Sequence, residues 1–243
     1  MADGWKVVHM KIVITAPFAA QQVEELKGQH EVLFSPQDDS TPLRSEEQLH
    51  SLLAEERAEI FITESDRVTA QVLEGLDDLK LLCVCRTGLN NIDIPACTDH
   101  GVALVNAPGR NAAAVADMVM ALFIDMSRFL FEGEKLLRSG QWDEGIYYRL
   151  RGHELYGNTV ATIGFGAIPK ELAKRISGFG MKMIAYDPYV SAEIMASYGV
   201  EKVTLEEAFS GGDYVTLHLP VTEQTRHMVN RDLLKLMKPS AYF

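Results

Sequence analysis

Cysteine is scarce in this chain: three in 243 residues, at Cys83, Cys85 and Cys97. Three thiols cannot staple a fold of this length, and no histidine cluster accompanies them, so neither a disulfide scaffold nor a metal site is expected. Cys83 and Cys85 fall on one face of an expected strand and read as small buried thiols in a reducing cytoplasm. Positive charge is the minority sign, with 23 Lys and Arg against 34 Asp and Glu and a net charge of −11. That balance disfavours nucleic acid and anionic membrane surfaces as partners. Long hydrophobic runs are lacking too. The most apolar stretch, Val115 to Leu130, contains Asp117, Asp125 and Arg128, and is too short and too charged to span a bilayer. The opening MADGWKVVHMKIVITAP carries no signal-peptide pattern, because Lys6, His9 and Lys11 break its apolar stretches. No repeat or low-complexity tract stands out.

What is present is an ordinary globular share of apolar residues, 47%, enough for one or two cores. The most informative stretch is Asn158 to Asp187. Val160, Ala161, Ile163 and Phe165 suit a buried parallel strand. Gly164 and Gly166 sit at its carboxyl end. Leu172, Ala173, Ile176 and Phe179 recur at helical spacing, and Gly178 and Gly180 stop that helix. Met183 to Tyr186 form the next strand, closed by Asp187. Strand, glycine turn, helix and strand make the wiring of a dinucleotide site. One glycine allows the sharp turn, a second lets backbone approach a pyrophosphate, and the helix N-terminus offers free N–H groups. An acid about twenty residues on accepts hydrogen bonds from the adenosine ribose. Asp187 holds that place and favours NAD over NADP, since a 2′-phosphate would be repelled. The fingerprint's third glycine is replaced by Pro169, tolerable in a first helical turn but bulkier where helix and strand pack.

Before this stretch, strands are expected at Lys11–Ala16, His30–Phe34, Glu59–Thr63, Leu79–Cys85 and Val102–Asn106. Helices are expected at Ala19–Leu26, Ser45–Arg57 with Ser45 as N-cap, Val68–Leu76 and Ile94–His100. Gln37 to Pro42 reads as a polar loop. Five strands alternating with helices imply a parallel α/β sheet. Pro108 and Gly109 break the pattern, and one long amphipathic helix is expected from about Asn111 to Ser139, followed by a loop to Leu155. Beyond Asp187, strands are expected at Glu201–Thr204 and Tyr214–Leu219, helices at Leu205–Phe209 and Arg231–Met237, and the start of a fifth strand at Ala241–Phe243.

Four motifs in order resemble the D-isomer-specific 2-hydroxyacid dehydrogenase family over about Lys11 to Phe243. They are RTGLNNID (Arg86 to Asp93), VNAPGRNAAAVAD (Val105 to Asp117), ELYGNTVATIGFGAIP with GFGMKMIAYDPY, and GGDYVTLHLPVTEQTRHMVNRDLLKLMKP (Gly211 to Pro239). The resemblance implies an α/β protein with a flavodoxin-like substrate lobe, residues 1–107, and a Rossmann-type NAD-binding lobe, residues 108–243, cut off after its fourth strand. It implies that a cleft between them closes on a small 2-hydroxy or 2-oxo acid. Thr87 would touch the cofactor and the Gly88–Leu89 backbone the substrate carboxylate. Gly164, Gly166, Ala167 and Ile168 would meet the pyrophosphate, Tyr186 and Asp187 the ribose side, and His218, Leu219, Pro220 and Thr225 the rest of NAD. The helix from 111 and the loop to Trp142 resemble the family's homodimer interface.

The family's catalytic arginine, glutamate and histidine have no counterpart in these 243 residues. The expectation is therefore a partial copy of a longer enzyme, inactive by itself, with the trio beyond Phe243 and with the edge of the fourth strand unpaired. His218 is not promoted to general base, because the family places a cofactor-lining residue there. His153 and His227 read as loop or surface residues. Phosphoglycerate-type members carry a basic residue where this chain has Thr63–Glu64–Ser65, so an unphosphorylated acid is expected. Two other readings compete. A non-catalytic NAD(H)-responsive protein of the same fold would tolerate loss of the trio. A methyltransferase would use the same glycine turn and acid, but LHLPVTEQT and the five-strand preceding lobe argue against it.

Overall fold

A computed structural model of the chain describes residues 9–37 and 42–243. The opening residues 1–8 and most of the loop expected between Gln37 and Pro42 lie outside the described residues. The chain divides into two compact units, Met1–Arg110 and Asn111–Phe243.

The first unit alternates strands and helices in chain order: β1 Lys11–Ile14, α1 Ala20–Lys27, β2 Glu31–Phe34, α2 Glu46–Glu55, β3 Ile60–Thr63, α3 Ala70–Leu73, β4 Leu81–Val84, α4 Ile94–Asp99 and β5 Ala103–Asn106. The sheet order is β2-β1-β3-β4-β5 and every pairing is parallel. That order is flavodoxin-like. The period-2 pattern of the strands divides their side chains between two cores. Val13, Phe61, Leu82 and Val84 pack with Leu49 and Leu53 of α2 on one face, and Ile12 and Ile14 pack with Phe18, Leu26 and Phe34 on the other. Ser45 caps α2 in a reciprocal box: its hydroxyl accepts from the Gln48 N–H at 3.2 Å, and the Gln48 side chain accepts from the Ser45 N–H at 3.0 Å. The expected helix over Val68–Leu76 is only one turn long. Val68 instead pairs with Ile92 in a parallel bridge, and the Leu73–Leu76 end is turned by Gly75 at φ +74°.

The second unit contains α5 Ala112–Arg128, α6 Leu130–Arg138, α7 Ile146–Arg149, β6 Thr159–Ile163, α8 Ala167–Gly178, β7 Lys182–Tyr186, α9 Ala192–Ala196, β8 Glu201–Lys202, α10 Leu205–Gly211, β9 Tyr214–Leu217 and α11 Arg231–Leu236. Its parallel sheet runs β8-β7-β6-β9, and Tyr242 adds one bridge outside β9 at Tyr214. This is the doubly wound Rossmann-type order, with β6 central. Val160, Met183 and Tyr214 face Phe123, Leu172 and Ile176 of α5 and α8. Ala161, Ile163 and Val215 face Phe209 and Leu233 of α10 and α11. Each such fully buried Leu, Ile or Phe contributes about 1.5–3 kcal/mol of hydrophobic stabilisation.

The single helix expected over 111–139 is in fact two. Phe129 sits in the left-handed region at φ 55° and separates α5 from α6. The cause is a competition for one carbonyl. In an unbroken helix the Phe131 N–H would bond Ser127 O; instead it bonds the Asp125 carboxylate at 2.8 Å. Ser127 O accepts from the His153 N–H at 3.0 Å. The loop can approach so closely only because residue 152 is glycine, where a Cβ would overlap that same oxygen. The hydrogen bonds gained outweigh the roughly 1–2 kcal/mol cost of one left-handed residue.

The same loop brings His153 to the Tyr214 hydroxyl, with which its Nε2 shares a 2.9 Å hydrogen bond. Tyr214 and Tyr242 stack at 5.3 Å, and Phe123 lies 4.7 Å from Tyr214. Burial pushes the Tyr214 phenol up to about 12, so it stays protonated at neutral pH. Among the described residues no helix is long and apolar enough to cross a membrane.

Candidate functional site

The glycine turn is built around two close approaches. Gly164, the first residue after β6, adopts φ +96°, and a Cβ there would meet the His218 carbonyl oxygen at 2.6 Å and Leu219 Cδ2 at 2.8 Å. Its N–H bonds the carbonyl of Tyr186 at 2.7 Å, while the His218 N–H bonds Ile163 O at 2.9 Å. The turn is thus clamped between the ends of β7 and β9, which flank β6 in the sheet. Only glycine satisfies both the left-handed φ and the contact.

Gly166 is different. It caps α8, is exposed, and a Cβ placed on it would meet no protein atom within 4 Å. Protein packing does not require glycine here; a ligand lying against the backbone would. The next residues, Ala167 and Ile168, open the 12-residue helix α8 with N–H groups that have no acceptor among the described residues. The positive end of the helix dipole adds to them. Pro169 is buried in the first turn and contributes no donor.

Asp187 follows β7 and is only 9% exposed. One carboxylate oxygen accepts from the buried Phe165 N–H at 2.8 Å, and the other from the Tyr189 N–H at 2.8 Å. The acid therefore shapes the glycine turn besides terminating the strand. A carboxylate has about four lone-pair sites, so acceptor capacity remains for a hydroxyl. Tyr186 is half-buried, pairs with Ile163 in the sheet and packs on the core that contains it.

After β9, His218 is half-buried and its Nε2 lies 3.1 Å from the Thr216 hydroxyl. Burial lowers its pKa below the ordinary imidazole range. Leu219, Pro220 and Thr225 line a cleft of about 180 Å³ with Val221, His227 and Met228. The loop is stiff: the Thr225 hydroxyl donates to Pro220 O at 2.6 Å and accepts from the Thr222 N–H at 2.8 Å. Gly164, Gly166, Ala167, Ile168, Tyr186, Asp187, His218, Leu219, Pro220 and Thr225 thus converge on the carboxyl ends of β6, β7 and β9. This is the crevice where open α/β sheets hold ligands.

Thr87, Gly88 and Leu89 belong to the first unit, at the carboxyl end of β4. Asn106 Nδ2 donates to Thr87 O at 2.8 Å, and the Thr87 hydroxyl donates to Ala107 O at 3.3 Å. Gly88 is exposed with no neighbour within 4 Å of a Cβ, and Leu89 packs on the core. Glu64, at the end of β3, is ion-paired with Arg110. Cys83 and Cys85 are half-buried and Cys97 is buried; burial pushes all three thiols up, which keeps them unreactive. Among the described residues no group of three or more His, Cys, Asp or Glu could hold a metal.

Sequence reasoning did not find Phe165, whose N–H joins the glycine turn to Asp187, or Tyr189 and Gln224, whose side chains share a 3.0 Å hydrogen bond. A signal for Tyr189 exists: Asp-Pro-Tyr is a sequence in which an aspartate bonds the N–H two residues on.

Comparison with known proteins gives a consistent picture. Residues 120–243 match the family model described as "D-isomer specific 2-hydroxyacid dehydrogenase, NAD binding domain". The chain is 35% identical over 234 residues to the D-3-phosphoglycerate dehydrogenase of Methanocaldococcus jannaschii, covering 96% of this chain and 43% of that one. It is 34% identical to the Bacillus subtilis protein YoaD, named as a 2-hydroxyacid dehydrogenase, covering 96% of this chain and 68% of that one. An NAD+-bound 3-phosphoglycerate dehydrogenase from Entamoeba histolytica superimposes with a TM-score of 0.73 at 26% identity, over 95% of this chain and 69% of that one. The chain thus spans less than half of the Methanocaldococcus relative and about two thirds of the Bacillus one.

Two substitutions separate the roles of the glycines. Gly164→Ala is expected to cost at least about 2 kcal/mol in urea unfolding, from overpacking and a forbidden φ, whereas Gly166→Ala stays within about 0.5 kcal/mol of wild type. Equal losses would contradict the assignment. A pH series tests His218. Its pKa is depressed in the folded state, so its contribution is fully present above the unfolded value of about 6.5 and is lost as pH falls through the folded value. Wild type should lose stability faster than His218→Gln between pH 7 and 5, and parallel curves would show that His218 is not buried neutral.

Proposed function

The chain belongs to the D-isomer-specific 2-hydroxyacid dehydrogenase family, and from that premise we propose that it serves an NAD-dependent oxidoreductase. The reaction is oxidation at the CH–OH group of a small D-2-hydroxy acid, or in reverse reduction of the matching 2-oxo acid. The observation that carries this reading is Gly166, a glycine that no contact among the described residues requires, at the head of a helix whose first two N–H groups have no acceptor among the described residues. NAD, when bound, supplies the hydride acceptor.

The protein's own part is to bind and orient. Ala167 and Ile168 present their N–H groups to a pyrophosphate. Asp187 accepts a ribose hydroxyl on its remaining lone pairs and repels a 2′-phosphate. Leu219, Pro220 and Thr225 line the nicotinamide side, and His218 backs the turn through its carbonyl at Gly164. An imidazole held neutral by burial and bonded to Thr216 suits a lining role better than a proton donor's. Thr87 touches the cofactor, and the Gly88–Leu89 backbone meets the substrate carboxylate. The favoured substrate is unphosphorylated. The cation nearest Glu64, Arg110, is consumed in an ion pair, so the two together offer a phosphate no net positive charge. The same reading places the protein in the cytoplasm, in keeping with three free cysteines.

Association as a homodimer completes the reading. The second unit exposes Met118, Leu122, Phe131 and Trp142, the last two at 70% and 72%. So much bare apolar and aromatic surface along α5, α6 and the following loop suits an interface between copies.

Titration with NADH, followed by its fluorescence, is expected to show saturable binding that NADPH competes for weakly and that Gly166→Val abolishes without loss of fold. Absence of NADH binding by wild type would refute the reading. Sedimentation at micromolar concentration is expected to give twice the 27.0 kDa chain mass, and Phe131→Ser with Trp142→Ser should return the monomer; a monomeric wild type would exclude the interface.

A further inference from the structure

The first unit buries an acid that has no counter-charge among the described residues. Asp66 follows β3 and is 1% exposed. Its Oδ2 accepts from the Thr15 hydroxyl at 2.5 Å and from the Thr63 hydroxyl at 2.6 Å, lengths that suit bonds to a charged oxygen. Its Oδ1 is buried and meets no donor among the described residues. The neighbouring cations are engaged elsewhere: Arg67 pairs with Glu46, and Arg110 with Glu64. Asn91 stands beside the acid. Its Nδ2 donates to Asp66 O at 2.7 Å, and its Oδ1 is a second buried acceptor without a donor among the described residues. The place is the carboxyl ends of β1 and β3, adjacent strands at which the strand order changes direction. Three loops meet there: Thr15 opens the loop after β1, Asp66 lies in the loop after β3, and Asn91 in the loop after β4. The last two are joined, since the Val68 N–H bonds Asn91 O at 2.9 Å and the Asp93 N–H bonds Val68 O at 2.8 Å.

We propose that Asp66 Oδ1 binds a monovalent metal cation, sodium or potassium, with Asn91 Oδ1 as a neighbouring ligand. The grounds are charge and donor chemistry, and they do not depend on the dinucleotide reading. Buried charges in proteins are paired or bound to metal ions. A water could donate to both open oxygens, but it would leave the carboxylate charge uncompensated. Every candidate ligand is an oxygen: one carboxylate, one amide and the hydroxyls of Thr15 and Thr63. Such a set suits a hard cation and offers no nitrogen or sulfur to zinc or copper. A single carboxylate balances a single positive charge, whereas calcium sites commonly gather several carboxylates. Among the described residues no group of three or more acids, histidines or cysteines is assembled at this place. The ion ties the loops after β3 and β4 to the end of β1. It thereby sets how firmly the loop that carries Thr87, Gly88 and Leu89 is held.

Thermal unfolding of the full chain at fixed ionic strength is the test, with tetramethylammonium chloride replaced by sodium chloride or by potassium chloride. At least one of the two metal salts is expected to raise the midpoint by about 2–6 °C. Asp66→Asn, which keeps the shape and removes the charge, is expected to lose that rise. Amide hydrogen exchange of wild type places the effect without any variant. Exchange at Val68 and Asp93 should slow at least about 3-fold in the stabilising salt, while Gly164 and Phe165 of the second unit stay unchanged. If Asp66→Asn fails to fold, the exchange measurement decides alone. Equal midpoints and equal exchange in all three salts would overturn the proposal. So would a rise kept in full by Asp66→Asn, or slowed exchange spread evenly over both units. Stabilisation by calcium or magnesium with none from sodium or potassium would overturn it as well.

Discussion

The second unit depends on a buried carboxylate that closes a backbone circuit. Asp187 takes the Phe165 N–H, which fixes the residue between the two glycines, while Gly164 is fixed by Tyr186 O on one side and by the His218 carbonyl against its Cα on the other. Three strand ends are tied to one turn. Phe165 can then bury its ring completely in the core shared by α5 and α8, and Gly166 is left facing outward at the head of α8. Without the carboxylate, a buried N–H would lack a partner at a cost of about 1–3 kcal/mol, and the turn would lose its defined shape. The residue suited to holding a ribose is thus also the residue that builds the place where the nucleotide would lie.

Much of this was legible in the sequence. β-branched and apolar runs bounded by glycine, proline or aspartate marked most strands to within two residues, because parallel strands buried on both faces need continuous apolar side chains. Ser45 was readable as a helix start because the cap is local chemistry, and the structure adds Gln48 as its reciprocal partner. The glycine turn and Asp187 were readable for the same reason: the spacing of strand, turn and helix is itself local. The parts that were not legible depend on residues far apart. Nothing between Asn111 and Ser139 announces a break at Phe129, since the cause lies at Gly152 and His153. The Tyr189–Gln224 bond joins positions 35 apart whose meeting is set by the sheet order. Val68 prefers Ile92 to its own helix for a similar reason.

The first unit puts its exposed backbone at the same kind of place, the carboxyl ends of a parallel sheet. There Asn106 and Ala107 at the end of β5 hold the turn that follows β4. Gly88 remains bare at the tip. Both units therefore present an exposed glycine backbone near their strand ends, Gly88 in one and Gly166 in the other. That arrangement suits ligands recognised by hydrogen bonds to phosphate and carboxylate oxygens, in a chain whose overall charge is strongly negative.

The exchange of partners at Ser127 also ties the shape of an early segment to later residues. When residues 112–139 leave the ribosome, Gly152 and His153 are still to come, and nothing yet competes for the Ser127 carbonyl. The nascent segment is then free to run as one continuous helix through Phe129. In the folded protein the later loop inserts its glycine and takes that carbonyl, and Asp125 receives the Phe131 N–H instead. Because His153 carries the loop on to Tyr214, and Tyr214 pairs with Tyr242, the bend is tied to contacts from residues well downstream in the sequence. An element early in the sequence is thereby shaped by residues that follow it.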